Sequence, residues 1–127
     1  MDWIDDTVAV GNWFDAFSAR VRRRENIDLL IDARLLFTKS FIPSRRKPLV
    51  ERLLRARDQL VDISTFKPKV LIFCNRGKDR SSFVATLYVS KKLGLSHREA
   101  YELVHAKRRQ TAHHWDWVEA FEHGISP

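Results

Sequence analysis

Apolar residues along the chain fall into two patterns, unbroken short runs and helical stripes. Residues 70–73, Val-Leu-Ile-Phe, form a run of β-formers that reads as a buried strand. Residues 27–32, Ile-Asp-Leu-Leu-Ile-Asp, read as a second buried strand, expected to lie parallel to the first. The opening residues 3–11 read as one or two short strands broken at Asp5-Asp6. Gly11-Asn12 then turns the chain into a predicted helix over 14–25, with Phe14, Phe17 and Val21 on one face.

A period is missing from residues 35–44, which end near Pro43 and are expected to form a loop with at most a short turn. Pro48 suits a first helical position, and Leu49, Val50, Leu53, Leu54, Leu60 and Val61 make the apolar stripe of a helix reaching about residue 63. Phe83, Val84, Leu87 and Tyr88 mark a helix over 81–92, closed by Gly94. Ser96-His97-Arg98-Glu99 is a capping box opening the next helix, whose basic end, Lys107-Arg108-Arg109, suits the helix dipole. A final helix is expected over 114–123, with Trp117, Val118 and Phe121 packing inward.

Length and composition narrow the class. A chain of 127 residues, 44% apolar and 31% charged, fits one globular domain over 1–127. No segment approaches the length of a membrane-spanning helix, and the start, Met1 to Asp6, is acidic, unlike a signal peptide. The single cysteine rules out an internal disulfide. The net charge of +7 points to an anionic partner, and phosphoprotein, phosphoinositide and nucleic acid all meet that description.

Candidate chemistry concentrates in residues 69–82, K-V-L-I-F-C-N-R-G-K-D-R-S-S. A strand, a tight Gly-containing loop and a helix N-terminus make an anion site, because loop N–H groups converge and the helix dipole adds positive potential. The only cysteine, Cys74, stands at the mouth of that loop, where N–H donors and cations favour thiolate over thiol. Such a nucleophile needs a reducing compartment, and the cytoplasm is the expected location. Arg80, six positions on, offers a planar fork for two phosphate oxygens. Asn75, Arg76, Gly77 and Lys78 are the candidate cradle between them. A nucleotide-binding P-loop is excluded, since Ile72 stands where its first glycine would be and Asp79 follows Lys78.

The spacing Cys74…Arg80-Ser81, with Gly77 inside it, resembles the signature loop of the cysteine-dependent protein tyrosine phosphatases, particularly the compact dual-specificity group. The opening stretch Ile4…Val8-x-Val10-Gly11…Asp15-Ala16 is similar to the start of the same group. The resemblance implies an α/β fold: a mainly parallel central sheet flanked by helices, with the loop between a central strand and a helix. It implies a phosphatase acting on phosphate monoesters of proteins through a phosphocysteine, without a metal or other cofactor. RNA 5′-ends and phosphoinositides are the alternative substrates, and a catalytically weak phosphate-binding module is the non-enzymatic reading. Ser81 looks like the hydroxyl that stabilises the departing thiolate.

Two departures from that group stand out. Phe73 precedes the cysteine, where the group usually has a histidine. Residues 33–50 contain no Asp, Glu or His, so the usual upstream general acid has no counterpart there. The G-K-D-R of residues 77–80 resembles a subset of the superfamily, including bacterial tyrosine and lipid phosphatases, whose loop aspartate is thought to serve as the acid. That places the acid on Asp79, with Asp32 as the alternative. Asp79 also reads as a partner for Lys78 or Arg76, and Asp32 as a cap for nearby N–H groups. Arg34 has two readings, a substrate contact or a partner of Asp32. The cations Arg45, Arg46 and Lys47 read as a solvated run or as a wall of an anionic cleft. His113, His114, Asp116 and His123 lack the spacing of a metal site.

Overall fold

The computed structural model describes residues 1–37, 46–77, 79–112 and 114–125, without the side chains of 46–48. The cations at 45–47, Lys78 and His113 therefore lie outside the described side chains. The elements run β1 (Asp2–Trp3), β2 (Val8–Asn12), α1 (Trp13–Phe17), α2 (Ala19–Glu25), β3 (Leu29–Asp32), α3 (Ala33–Leu36) and α4 (Arg46–Ser64). They continue with β4 (Val70–Cys74), α5 (Arg80–Leu93), α6 (His97–Lys107) and α7 (Trp115–Ile125).

The sheet has the order β1-β2-β4-β3, parallel except for β1. β4 is central and buried throughout, as its apolar run predicts. Its register pairs Asn12 with Cys74 and Asp32 with Phe73, so the C-terminal ends of the three parallel strands share one edge. That edge is where open α/β sheets bind ligands. Alternation sends Val70, Ile72 and Cys74 to the large core, and Leu71 and Phe73 to a smaller one with Ala9 and Ala16.

α5 is the central helix, with every residue from Ser81 to Val89 buried. Phe83 sits in a ring of aromatics, 6.0 Å from Phe37, 5.9 Å from Tyr101, 5.7 Å from Trp117 and 6.1 Å from Phe121. Burying such a side chain stabilises the fold by about 1.5–3 kcal/mol, and this cluster clamps α6 and α7 onto α5. The capping box at α6 is formed, with Ser96 and Glu99 exchanging both bonds.

Four local expectations are corrected. The helix expected over 14–25 is two helices, because Ser18 is extended: its N–H closes α1 on the Phe14 carbonyl while its hydroxyl caps α2. Phe14 and Phe17 are consequently exposed, Phe17 keeping one edge-on ring contact with Phe73. The strand expected to be buried over 27–32 is an edge strand starting at Leu29, with Leu29 and Leu30 exposed, since among the described residues no strand pairs beyond it. α4 starts at Arg46, so Pro48 lies inside its first turn rather than at its first position. Of the loop expected over 35–44, residues 38–44 lie outside the described residues, and 33–36 form a short helix with the Asp32 cap that the sequence suggested.

Candidate active site

The loop between β4 and α5 closes around the Cys74 sulfur. Gly77 N–H donates to Sγ at 3.2 Å, and the Ser81 hydroxyl lies 3.1 Å from it. Cys74 itself is only 2% exposed. Burial pushes the thiol up, but hydrogen bonds from the Ser81 hydroxyl and from the N–H groups of Ser81, Gly77 and Asp79 outweigh it. The net effect holds Cys74 below the ordinary thiol value. Donors around a sulfur at a helix N-terminus favour its ionised form, and the N–H groups of such a loop can also face the oxygens of an oxyanion.

Gly77 is required by two constraints. It has φ +70°, and a Cβ there would stand 2.5 Å from the Gly11 carbonyl oxygen and 2.6 Å from Arg108 Nη2. The loop thus rests directly on the β2 backbone. Arg80 opens α5, is half-buried, and its charge helps to lower the Asp32 carboxyl, behind the larger influence of Arg34. Asn75 and Arg76 are exposed at the rim.

Asp32 caps the Arg34 N–H at 3.0 Å and pairs with the Arg34 guanidinium through two bonds of 2.8 Å. Arg34 extends further, donating to Asn75 Oδ1 at 3.1 Å and lying 5.5 Å from the Phe73 ring centroid. Of the two readings of Arg34, the structure bears out the pairing with Asp32, and the same guanidinium also reaches the loop at Asn75. Phe73 packs edge-on to Phe17, 5.5 Å between centroids, in the smaller core. A side chain there has no polar atom with which to brace the loop.

The connection from α6 to α7 buttresses the loop, and sequence reasoning missed it. Arg108, read as a dipole-matching helix end, is instead buried at the end of α6. Its Nε donates to the Gly77 carbonyl, and Nη1 to Asp2 Oδ2 at 2.7 Å and the Val10 carbonyl at 3.3 Å. Thr111 is buried with its hydroxyl 3.1 Å from that of Ser82. His114 Nε2 lies 2.8 Å from Asp79 Oδ1. No local pattern in the sequence marks Arg108, Thr111 and His114 as neighbours of the loop. Among the described residues no cluster of three metal-ligating side chains occurs, and no helix is long and apolar enough to cross a membrane.

No protein-family model matches the sequence, and no curated protein does. Solved structures do match. Human DUSP28 superposes with a TM-score of 0.77 at 15% identity, over 98% of this chain and 97% of that one. A mouse putative dual specificity phosphatase, crystallised with zinc tungstate, gives 0.76 at 17% identity, over 98% and 87%. The human tyrosine phosphatase-like serine/threonine/tyrosine-interacting protein gives 0.76 at 16%, over 97% and 93%. The chain has the fold of the compact dual-specificity phosphatases, as the signature-loop resemblance implied.

Proposed function

We propose that this protein is a cysteine-dependent phosphatase of phosphate monoesters, carried by a single cytoplasmic domain, with phosphoproteins as its substrates. The observation that carries the reading is the Cys74 sulfur, ringed by the Ser81 hydroxyl and the Gly77 N–H and lowered in pKa by them against the opposing pull of burial. In the first step the thiolate attacks phosphorus, forming an S–P bond as the P–O bond to the leaving group breaks. Loop N–H groups and the Arg80 fork neutralise the equatorial oxygens, and the released oxygen takes a proton from Asp79. In the second step water attacks the phosphocysteine, Asp79 takes its proton, and the Ser81 hydroxyl donates to the departing thiolate. Asn75, Arg76 and Gly77 supply the cradle in this reading, and Lys78, which lies outside the described residues, is assigned to it from the sequence alone. No step calls for a metal or cofactor.

Asp79 is favoured over Asp32 as the acid because Asp32 is spent on capping and pairing with Arg34. The competing reading, a phosphate-binding module with little turnover, draws on Phe73, whose ring lies in apolar packing where the group usually has a histidine. Turnover of nitrophenyl phosphate by wild-type protein but not by Cys74→Ser supports the enzyme. Oxyanion binding without turnover in both supports the module. Comparing phosphotyrosine and phosphoserine peptides with phosphoinositide and RNA 5′-phosphate then tests the substrate class.

A further inference from the structure

Asp79 stands at the N-cap position of α5, where an aspartate side chain ordinarily accepts an N–H of the first turn. Here it makes no such bond. Its backbone carbonyl is committed to the Phe83 N–H at 3.0 Å. The carboxylate instead reaches out of the loop, 40% exposed, and Oδ1 meets His114 Nε2 at 2.8 Å. Oδ2 has no hydrogen-bond partner among the described residues.

His114 is held at least as firmly. Its ring stacks on Trp117 at 3.8 Å and 10°, and its carbonyl accepts the N–H groups of Trp117 and Val118 at 3.0 and 3.1 Å. Trp117 in turn packs on Phe83 and Phe37 in the core cluster. A continuous chain of contacts therefore runs from the aromatic core through an imidazole to one oxygen of the loop carboxylate.

We propose that His114 is a positioning residue for the general acid, an inference that rests on Asp79 being that acid. In its Nε2–H form His114 donates to Oδ1 and fixes the carboxyl plane, so that Oδ2 carries the proton toward the leaving oxygen. After transfer the same N–H stabilises the Asp79 anion, which then takes a proton from the attacking water. A carboxylate tethered in this way substitutes for the acid that the stretch 33–50 does not supply.

The test is the dependence of kcat/KM on leaving group, from nitrophenyl to phenyl and alkyl phosphates. The variants are His114→Phe, His114→Gln, Asp79→Asn and the double variant Asp79→Asn/His114→Phe. His114→Phe keeps a ring on Trp117 and removes the donor. It is expected to lose about 10²-fold on poor leaving groups and far less on nitrophenyl phosphate. His114→Gln, which restores an N–H, is expected to recover part of that loss. The double variant should fall no further than Asp79→Asn alone, because both changes remove one unit. Equal loss across all leaving groups in His114→Phe and His114→Gln, or none, would overturn the positioning role while leaving Asp79 as the acid. Indifference of Asp79→Asn to the leaving group would overturn the acid assignment and the inference with it.

Discussion

The Ser81 hydroxyl and the Cys74 sulfur lie 3.1 Å apart, joining the last residue of β4 to the first turn of α5. That contact is the strongest of the influences that lower the thiol's pKa against burial. Removing it in Ser81→Ala is expected to raise the Cys74 pKa, so less thiolate exists at neutral pH. The pH midpoint for alkylation by iodoacetamide should move upward toward the ordinary thiol value, and breakdown of the phosphoenzyme should slow. An unmoved midpoint would show that the backbone N–H groups alone set the ionisation.

Gly77→Ala is expected to damage both stability and turnover. The positive φ costs a non-glycine residue about 1–3 kcal/mol, and the added carbon would press on the Gly11 carbonyl, which is backbone and cannot swing aside. Urea unfolding together with nitrophenyl phosphate turnover measures both. Wild-type values for each would mean that the loop is not seated on β2 as described.

Much of this was legible locally. The apolar run of β4, the loop spacing and the Ser96–Glu99 capping box are each set by neighbours in sequence. What was not legible depends on the chain returning from afar. Arg108 reaches Gly77 across 31 positions and His114 reaches Asp79 across 35. Neither pairing has a local signature, because both require α5, α6 and α7 to turn back onto the loop first. The misreading of Phe14 and Phe17 has a different cause. Their spacing is helical, but a serine able to cap in both directions resets the phase after α1.

Asp5 gives a test of the fold away from the site. Its Oδ1 accepts the Thr7 and Val8 N–H groups at 2.8 Å each, and its Oδ2 accepts from the Tyr88 hydroxyl at 2.7 Å. Burial opposes the charge, yet the bonds from Tyr88, Val8 and Thr7 and the Lys92 charge leave its pKa below the ordinary 3.8. A lowered carboxyl stabilises the fold above the unfolded-state pKa and loses that contribution as pH falls through the folded value. Asp5→Asn should cost about 1–3 kcal/mol at neutral pH, and its stability should fall less steeply in acid than that of the wild type. Parallel acid profiles for the two proteins would contradict this linkage.

The central claim is that the Cys74 sulfur becomes covalently phosphorylated during turnover. It is tested most directly by acid-quenching the protein within its first turnovers of nitrophenyl phosphate and measuring its intact and peptide masses. The account predicts one added phosphoryl group on the peptide bearing Cys74, more of it in Ser81→Ala and none in Cys74→Ser. Turnover with no phosphorylated Cys74 peptide, or turnover that persists in Cys74→Ser, would contradict it.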